Sequence, residues 1–255
     1  MDRWLGKTAV VTGAAAGIGK AITRALLRNG VNVVALDVQK EGLAKLDAES
    51  KSEGFPSTLH TICCDITRED DINAAFATIE ALGGVDIMVN NAGVTSSTRI
   101  IESDRKTFER LLNINVLAVA VFTNKAVRSM RHRNVEGHIF NVNSILGHQS
   151  LDSSFFSNGL HFNLYSASKH ASVALTDTVR REISVLNLPI RITSVCPGVV
   201  KPTGMMYDSL VGSKFLENCP AIQPEDIADA VIYALGRRPQ VQITEIKLQH
   251  TGEFV

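Results

Sequence analysis

The 255-residue chain has no surplus of charge of either sign: 26 Lys+Arg stand against 26 Asp+Glu, a formal net charge of +0. Without a cationic excess there is no long-range attraction for a phosphate backbone or an anionic lipid surface, which argues against nucleic acid or membrane as a partner. Long apolar runs are also missing. The densest, Val116 to Phe122, falls far short of the roughly 20 residues a membrane span needs, and Met1-Asp2-Arg3-Trp4 leads straight into a polar turn. No signal peptide or transit peptide is legible, so a cytoplasmic protein is expected.

Four cysteines (Cys63, Cys64, Cys196, Cys219) include no CxxC pair and are expected to be reduced, mostly buried thiols. The seven histidines show no His-x-x-x-His spacing, and neighbouring Cys63 and Cys64 would point to opposite faces of a strand, so no metal site is expected. A Gly-x-Ser-x-Gly elbow is absent, which leaves a serine nucleophile without support. A P-loop fails at both ends: counting back from Gly19-Lys20 puts Ala14 at the first glycine and Ala21 at the hydroxyl position.

What the chain does have is 45% apolar residues, distributed as short β-branched runs alternating with helical patterns. Strands are expected at Thr8 to Val11, Asn32 to Leu36, Thr58 to Cys63, Ile87 to Asn90, His138 to Val142, Ile190 to Val195 and Gln240 to Leu248. Between them, Gly17 to Asn29, Glu69 to Leu82 and Tyr165 to Leu186 read as helices, and Pro224-Glu225-Asp226 opens another. No repeat or linker divides the chain. Strand and helix alternating in this way, with strands apolar at consecutive positions, imply a single-domain α/β fold over residues 1–255: a Rossmann-type doubly wound parallel sheet whose ligands bind beyond the strands' carboxyl ends.

At the first such end stands Thr12-Gly13-Ala14-Ala15-Ala16-Gly17-Ile18-Gly19. Gly13 permits a tight turn, Gly17 lets the backbone approach a pyrophosphate, and Gly19 lets helix and strand pack closely. Alone, such a stretch is equally a plain glycine-rich turn. Asp37 ends the second strand where a ribose-binding carboxylate belongs, though the position also suits a solvated turn residue. Cys64-Asp65-Ile66 and Asn90-Asn91-Ala92-Gly93 end two further strands.

Only three tyrosines exist, and only Tyr165 has a lysine, Lys169, one helical turn on. A phenol titrating near 10 can serve as a base at neutral pH only beside a positive charge. The same spacing also describes an ordinary surface pair, as Tyr233 and Arg237 illustrate. Ser144 places a hydroxyl at the end of the fifth strand, where a carbonyl oxygen could be held. Asn115 is a polar residue in an apolar helical stretch and, taken alone, reads as a satisfied buried amide.

In combination, Thr12-Gly13-x-x-x-Gly17-x-Gly19, Asn90-Asn91-Ala92-Gly93, Asn115, Ser144, Tyr165-x-x-x-Lys169 and Pro197-Gly198 resemble the short-chain dehydrogenase/reductase family from Lys7 to about Leu248. The resemblance implies that Tyr165 is the general acid/base, Lys169 lowers its pKa and holds the nicotinamide ribose, Ser144 orients the substrate oxygen and Asn115 holds a relay water. Gly13, Gly17, Ile18, Gly19, Asp37, Asp65, Ile66, Asn91, Ala92, Gly93, Tyr165, Lys169, Pro197, Gly198 and Val200 match cofactor-contacting positions. Within the family, Arg133-Asn134-Val135-Glu136-Gly137-His138-Ile139, Asn143-Ser144-Ile145-Leu146-Gly147-His148 and Pro197-Gly198-Val199-Val200 are most similar to farnesol dehydrogenase-like members and related carbonyl and ketosteroid reductases.

Three departures from that pattern matter. Leu151 to Phe162 reads as an inserted loop, whose Phe155, Phe156, Leu160 and Phe162 either wall an apolar pocket or pack on the surface or a partner subunit. Thr203 is delayed after Pro197-Gly198, which puts its contact with the carboxamide of the cofactor in doubt. Asp37-Val38-Gln39 replaces the basic residue that NADP-using relatives carry there, so NAD is expected over NADP.

The segment 202–220, with Met205, Met206, Tyr207, Leu210, Phe215 and Leu216, is expected to cover an apolar alcohol or ketone, an isoprenoid alcohol of the farnesol type first. A non-catalytic cofactor-binding scaffold or sensor is the alternative of another class, and the intact Asn-Ser-Tyr-Lys set speaks against it. The resemblance further implies a homodimer or homotetramer, with contacts around Phe108 to Met130 and Tyr165 to Leu186.

Overall fold

The computed structural model describes residues 1–150, 159, 161–201 and 219–253. The β-branched runs become seven strands: β1 (Thr8–Thr12), β2 (Asn32–Asp37), β3 (Leu59–Cys63), β4 (Ile87–Asn90), β5 (Gly137–Val142), β6 (Ile190–Pro197) and β7 (Glu245–Leu248). All pair in parallel, in the order β3-β2-β1-β4-β5-β6-β7. Strand order therefore reverses between β1 and β4, and a crevice for ligands opens there beyond the strand ends.

The longer helices among the described residues are α1 (Gly17–Arg28), α2 (Lys40–Glu53), α3 (Glu69–Ala81), α4 (Arg105–Leu112), α5 (Ala118–Arg133), α6 (Tyr165–Val185) and α7 (Pro224–Leu235). They cover the two faces of the sheet because parallel strands need crossovers. Ile22, Leu26 and Leu27 of α1 and Ile227, Val231 and Leu235 of α7 share one core with Val11, Val33 and Phe140. Phe76 of α3, Phe122 and Met130 of α5 and Ile183 of α6 share the other with Val10, Met88, Ile139 and Ile192. Alternate residues of each strand thus serve opposite cores, which is why the central strands β1, β4, β5 and β6 are buried throughout.

Two expectations need correction. The last strand begins at Glu245 rather than Gln240. Ahead of it the Gln242 side chain takes over backbone bonds of β6, donating to Ile192 O at 2.7 Å and accepting from Ile192 N at 3.4 Å, so no ladder forms. The thiols, too, are less buried than expected. Cys64 and Cys196 are buried, but Cys219 is half-buried and Cys63, on edge strand β3, is exposed. No helix among the described residues is long and apolar enough to cross a membrane.

Candidate active site

Eight chain segments converge beyond the carboxyl ends of the sheet. The first is the glycine turn between β1 and α1, where Gly13 and Gly17 have φ of +66° and +50°, conformations that side chains resist. Gly19 fills a different need. A Cβ there would sit 2.1 Å from the Gly13 carbonyl oxygen. Helix α1 begins at Gly17 with no side-chain cap and no acidic residue in its first turn, so its leading amides face the crevice without a side-chain acceptor. That is the arrangement a pyrophosphate fits. Ile18 follows, half-buried in the same turn of helix.

Asp37 ends β2 with its carboxylate fixed from two sides, accepting from the amides of Ala15 and Gln39, each at 3.0 Å. Lys20 is occupied by Glu49 at 2.6 Å, and Lys40 is exposed at the start of α2. The turn after β4 is sewn to the glycine turn: Asn91 Nδ2 donates to the carbonyls of Thr12 and Gly13 at 2.9 and 3.1 Å, and Thr12 Oγ1 accepts from the amides of Asn91 and Ala92. The Asn91 side chain thus holds the binding turn in shape, and Gly93 continues the same loop. Asp65 plays a local part as well, accepting from Thr67 N and Oγ1 at 2.9 and 2.7 Å. Ile66 and Ala92 come together with Thr12 and Asn90 at the strand ends.

The chemistry-bearing side chains lie at the β5, α5 and α6 side, and all are buried. Ser144 follows β5 and caps the short turn Ile145–Gly147 by accepting from Leu146 N at 3.1 Å, while its hydroxyl reaches Pro197 O at 3.5 Å. Tyr165 begins α6, anchored by its amide to Phe162 O at 2.9 Å, with the Phe162 ring 6.2 Å away. Burial drives the Tyr165 phenol up to about 12, opposed by a hydrogen bond with Ser144. Burial also drives Lys169 down to about 8; its ammonium donates to Val142 O at 2.8 Å and lies 5.6 Å from the centre of the Tyr165 ring. In this state Lys169 does not offset the burial of Tyr165, which is a neutral phenol at pH 7.

Asn115 sits in a π-helical turn, Asn113–Leu117, between α4 and α5. Its amide group donates to Val94 O at 2.8 Å and to Ser168 Oγ at 3.0 Å and accepts from Val94 N at 2.9 Å. The side chain thus ties the loop after β4 to α6, one turn past Tyr165. Ser168, which also donates to Tyr165 O at 2.7 Å, was not singled out from the sequence; a small polar residue inside Tyr-x-x-x-Lys is the only trace it leaves.

Pro197 closes β6, Gly198 N donates to Leu248 O at 2.8 Å, and Val200 packs its side chain into the α1/α7 core beside Ile222. Of the inserted loop, Phe162 reaches the site by packing with Ile145, Leu146 and Tyr165. Phe155, Phe156 and Leu160, like Thr203 and the rest of 202–218, lie outside the described residues.

A dinucleotide cradle at the crossover point, with a buried phenol, hydroxyl and lysine beside it, defines an oxidoreductase that moves hydride at an alcohol or carbonyl carbon. Comparison with known proteins agrees. A family model described as short chain dehydrogenase matches residues 7–210. The chain is 40% identical over 257 residues to farnesol dehydrogenase of Aedes aegypti, covering 99% of both, and 38% identical over 259 residues to human dehydrogenase/reductase SDR family member 11, covering 99% of this chain and 97% of that one. Among solved structures, a short-chain type dehydrogenase/reductase from Mycobacterium marinum superposes with a TM-score of 0.84 at 26% identity, covering 96% of this chain and 95% of that one. The chain belongs to the short-chain dehydrogenase/reductase family and is an NAD(P)-dependent oxidoreductase of alcohols and carbonyls.

Proposed function

We propose that the protein is an NAD-dependent dehydrogenase of apolar alcohols, an isoprenoid alcohol of the farnesol type first, and that Tyr165 exchanges the proton. The observation that carries this reading is the shared burial of Ser144, Tyr165 and Lys169 beyond the strand ends, with the Lys169 ammonium 5.6 Å from the centre of the Tyr165 ring and the Phe162 ring packed against it. In oxidation, Tyr165 Oη as phenolate takes the hydroxyl proton of the substrate. In reduction, the phenol returns it to the carbonyl oxygen. Ser144 Oγ donates to that same oxygen and so fixes which face meets the cofactor. Lys169 supplies positive charge beside the phenolate once it turns from Val142 O, and Asn115 holds α6 in register with the loop after β4. When bound, the nicotinamide ring accepts or supplies the hydride; α1's leading amides would hold its pyrophosphate and Asp37 its adenosine ribose.

The similarity to farnesol dehydrogenase runs the length of the chain, and Phe162 places an apolar ring against Tyr165. Residues 202–220 complete the substrate cover in this reading. A homodimer or homotetramer, built on helices within Phe108 to Met130 and Tyr165 to Leu186, fits the exposure of Leu112 and Leu117, 42% and 56%. Four free thiols suit a reducing cytoplasmic compartment.

A panel of straight-chain alcohols, farnesol and hydroxysteroids, read by nicotinamide absorbance with each cofactor, tests the proposal. Each buried methylene adds about 0.8 kcal/mol, so kcat/KM should climb about fourfold per carbon until the pocket is full. A flat series, or activity confined to charged sugars, refutes it. A marked preference for hydroxysteroids would assign the ketosteroid or general carbonyl reductase reading instead.

A further inference from the structure

Three residues far apart in sequence bring one nitrogen, one sulfur and one oxygen together behind the active-site serine. His148 follows the turn that Ser144 caps, Cys196 is the penultimate residue of β6, and Glu245 opens β7. Their positions follow from sheet register. Ser194 pairs with Glu245, and Cys196, two residues on, returns to the same face of the sheet. His148 Nε2 lies 2.8 Å from Glu245 Oε2 and 3.6 Å from Cys196 Sγ, and Cys196 Sγ lies 3.7 Å from Glu245 Oε2.

We propose that His148 Nε2, Cys196 Sγ and Glu245 Oε2 bind one borderline-soft divalent cation, zinc before others. The spacing is the first argument. With Zn–S near 2.3 Å and Zn–N and Zn–O near 2.1 Å, tetrahedral coordination sets sulfur about 3.6 Å from each partner and nitrogen about 3.4 Å from oxygen. The two sulfur distances already match. The remaining pair opens by about 0.6 Å when the ion takes the place of its hydrogen bond and the neutral imidazole carries its one proton on Nδ1 instead of Nε2.

Charge is the second argument. A thiolate, a carboxylate and a neutral imidazole bring two negative charges, which a divalent ion cancels; the thiol proton leaves to solvent as the Cys196–metal bond forms. Lys247 is the competing cation, and it sits on the other carboxylate oxygen, Oε1, at 3.3 Å.

Access is the third. The sulfur is buried at the bottom, and the His148 and Glu245 side chains, 28% and 29% exposed, form an entrance from the surface. The fourth position falls to water or to Ser194 Oγ, which lies 3.2 Å from the sulfur. An ion there would bind together the segment after Ser144 and the end of β6, whose Pro197 carbonyl takes the Ser144 hydroxyl.

Cobalt(II) is the probe, since a tetrahedral cobalt thiolate shows sulfur-to-metal charge-transfer absorption together with intense visible bands. Titration of the reduced protein should show one equivalent bound with the thiolate band, erased by one equivalent of zinc. Cys196→Ser should lose the band. His148→Asn and Glu245→Gln, at partly exposed positions where folding is not at stake, should each weaken cobalt binding by more than about tenfold. Cys63→Ser, removing the exposed thiol, should change nothing. Absence of the band in the unmodified protein, its survival in Cys196→Ser, its loss in Cys63→Ser, or an affinity untouched by both His148→Asn and Glu245→Gln overturns the site.

Discussion

Asp37 should make the protein reject NADP(H), and the structure explains why the carboxylate cannot move aside. Each of its oxygens accepts a backbone amide, Ala15 N and Gln39 N, both at 3.0 Å. Turning away would strand two amides, at about 1–3 kcal/mol each if they stay buried. A ribose 2′-phosphate brings about two negative charges to this carboxylate. At about 4 Å and an effective dielectric near 20, even one like-charge pair costs about 4 kcal/mol, a preference of several hundredfold for NAD(H).

Little stands ready to offset that. Lys20 is paired with Glu49, and the side chain following Asp37 is Val38, 57% exposed and uncharged. Dissociation constants for NADH and NADPH, from the fluorescence of the reduced ring, measure the preference directly. Asp37→Ala combined with Val38→Arg should reverse the order, and urea denaturation of the same variant separates lost preference from lost stability. Equal or tighter binding of NADPH by the unmodified protein would refute the reasoning; if Lys40→Ala then restored the preference for NADH, the exposed Lys40 would be identified as the phosphate's partner.

Four further outcomes are expected. Oxidation needs the Tyr165 phenolate while Lys169 is charged; with the phenol near 12 and the lysine near 8, kcat/KM should rise about tenfold per pH unit up to about 8 and then flatten. Tyr165→Phe should abolish turnover at every pH while still binding NADH, and pH-independent oxidation between about 6 and 8 would contradict the assignment. Buried His138, stacked on Phe140 and bonded to Thr193, is held neutral by burial and by nearby Arg191 and Arg3, with its pKa well below the usual value.

Because that pKa is depressed on folding, stability is full above about pH 6.5 and falls by up to about 1.4 kcal/mol per unit below it; urea midpoints at pH 7 and 5 should show a drop that His138→Gln reduces. Finally, Gly19→Ala drives a methyl against the Gly13 carbonyl, so cofactor affinity and the free energy of urea unfolding should both fall, the latter by about 1–3 kcal/mol. An unchanged affinity would show that the turn relaxes without cost.

Much of this was legible in the chain because it depends on local periodicity. Consecutive apolar residues mark strands buried on both faces, glycines mark turns that side chains cannot make, and a tyrosine four residues before a lysine lies on one helical face whatever surrounds it. Order along the chain therefore indicated a parallel sheet and located a candidate cofactor turn and Tyr165. Local pattern misled where a distant group intervened: the alternating stretch from Gln240 reads as strand, but the Gln242 side chain fills the bonds that would extend the ladder.

Tertiary structure alone decided what each side chain meets. Asn115 reads in sequence as any buried amide, and only folding reveals Val94 and Ser168 as its partners. Lys169 reads as a charge beside a phenol, yet burial weakens its charge and Val142 O claims its proton donors in this state. His148, Cys196 and Glu245 share no spacing at all. Register between parallel strands, set by pairing across about 50 residues of chain, brings Cys196 and Glu245 together, and the turn after Ser144 adds His148, so that the three ligand atoms lie within 4.8 Å of one another.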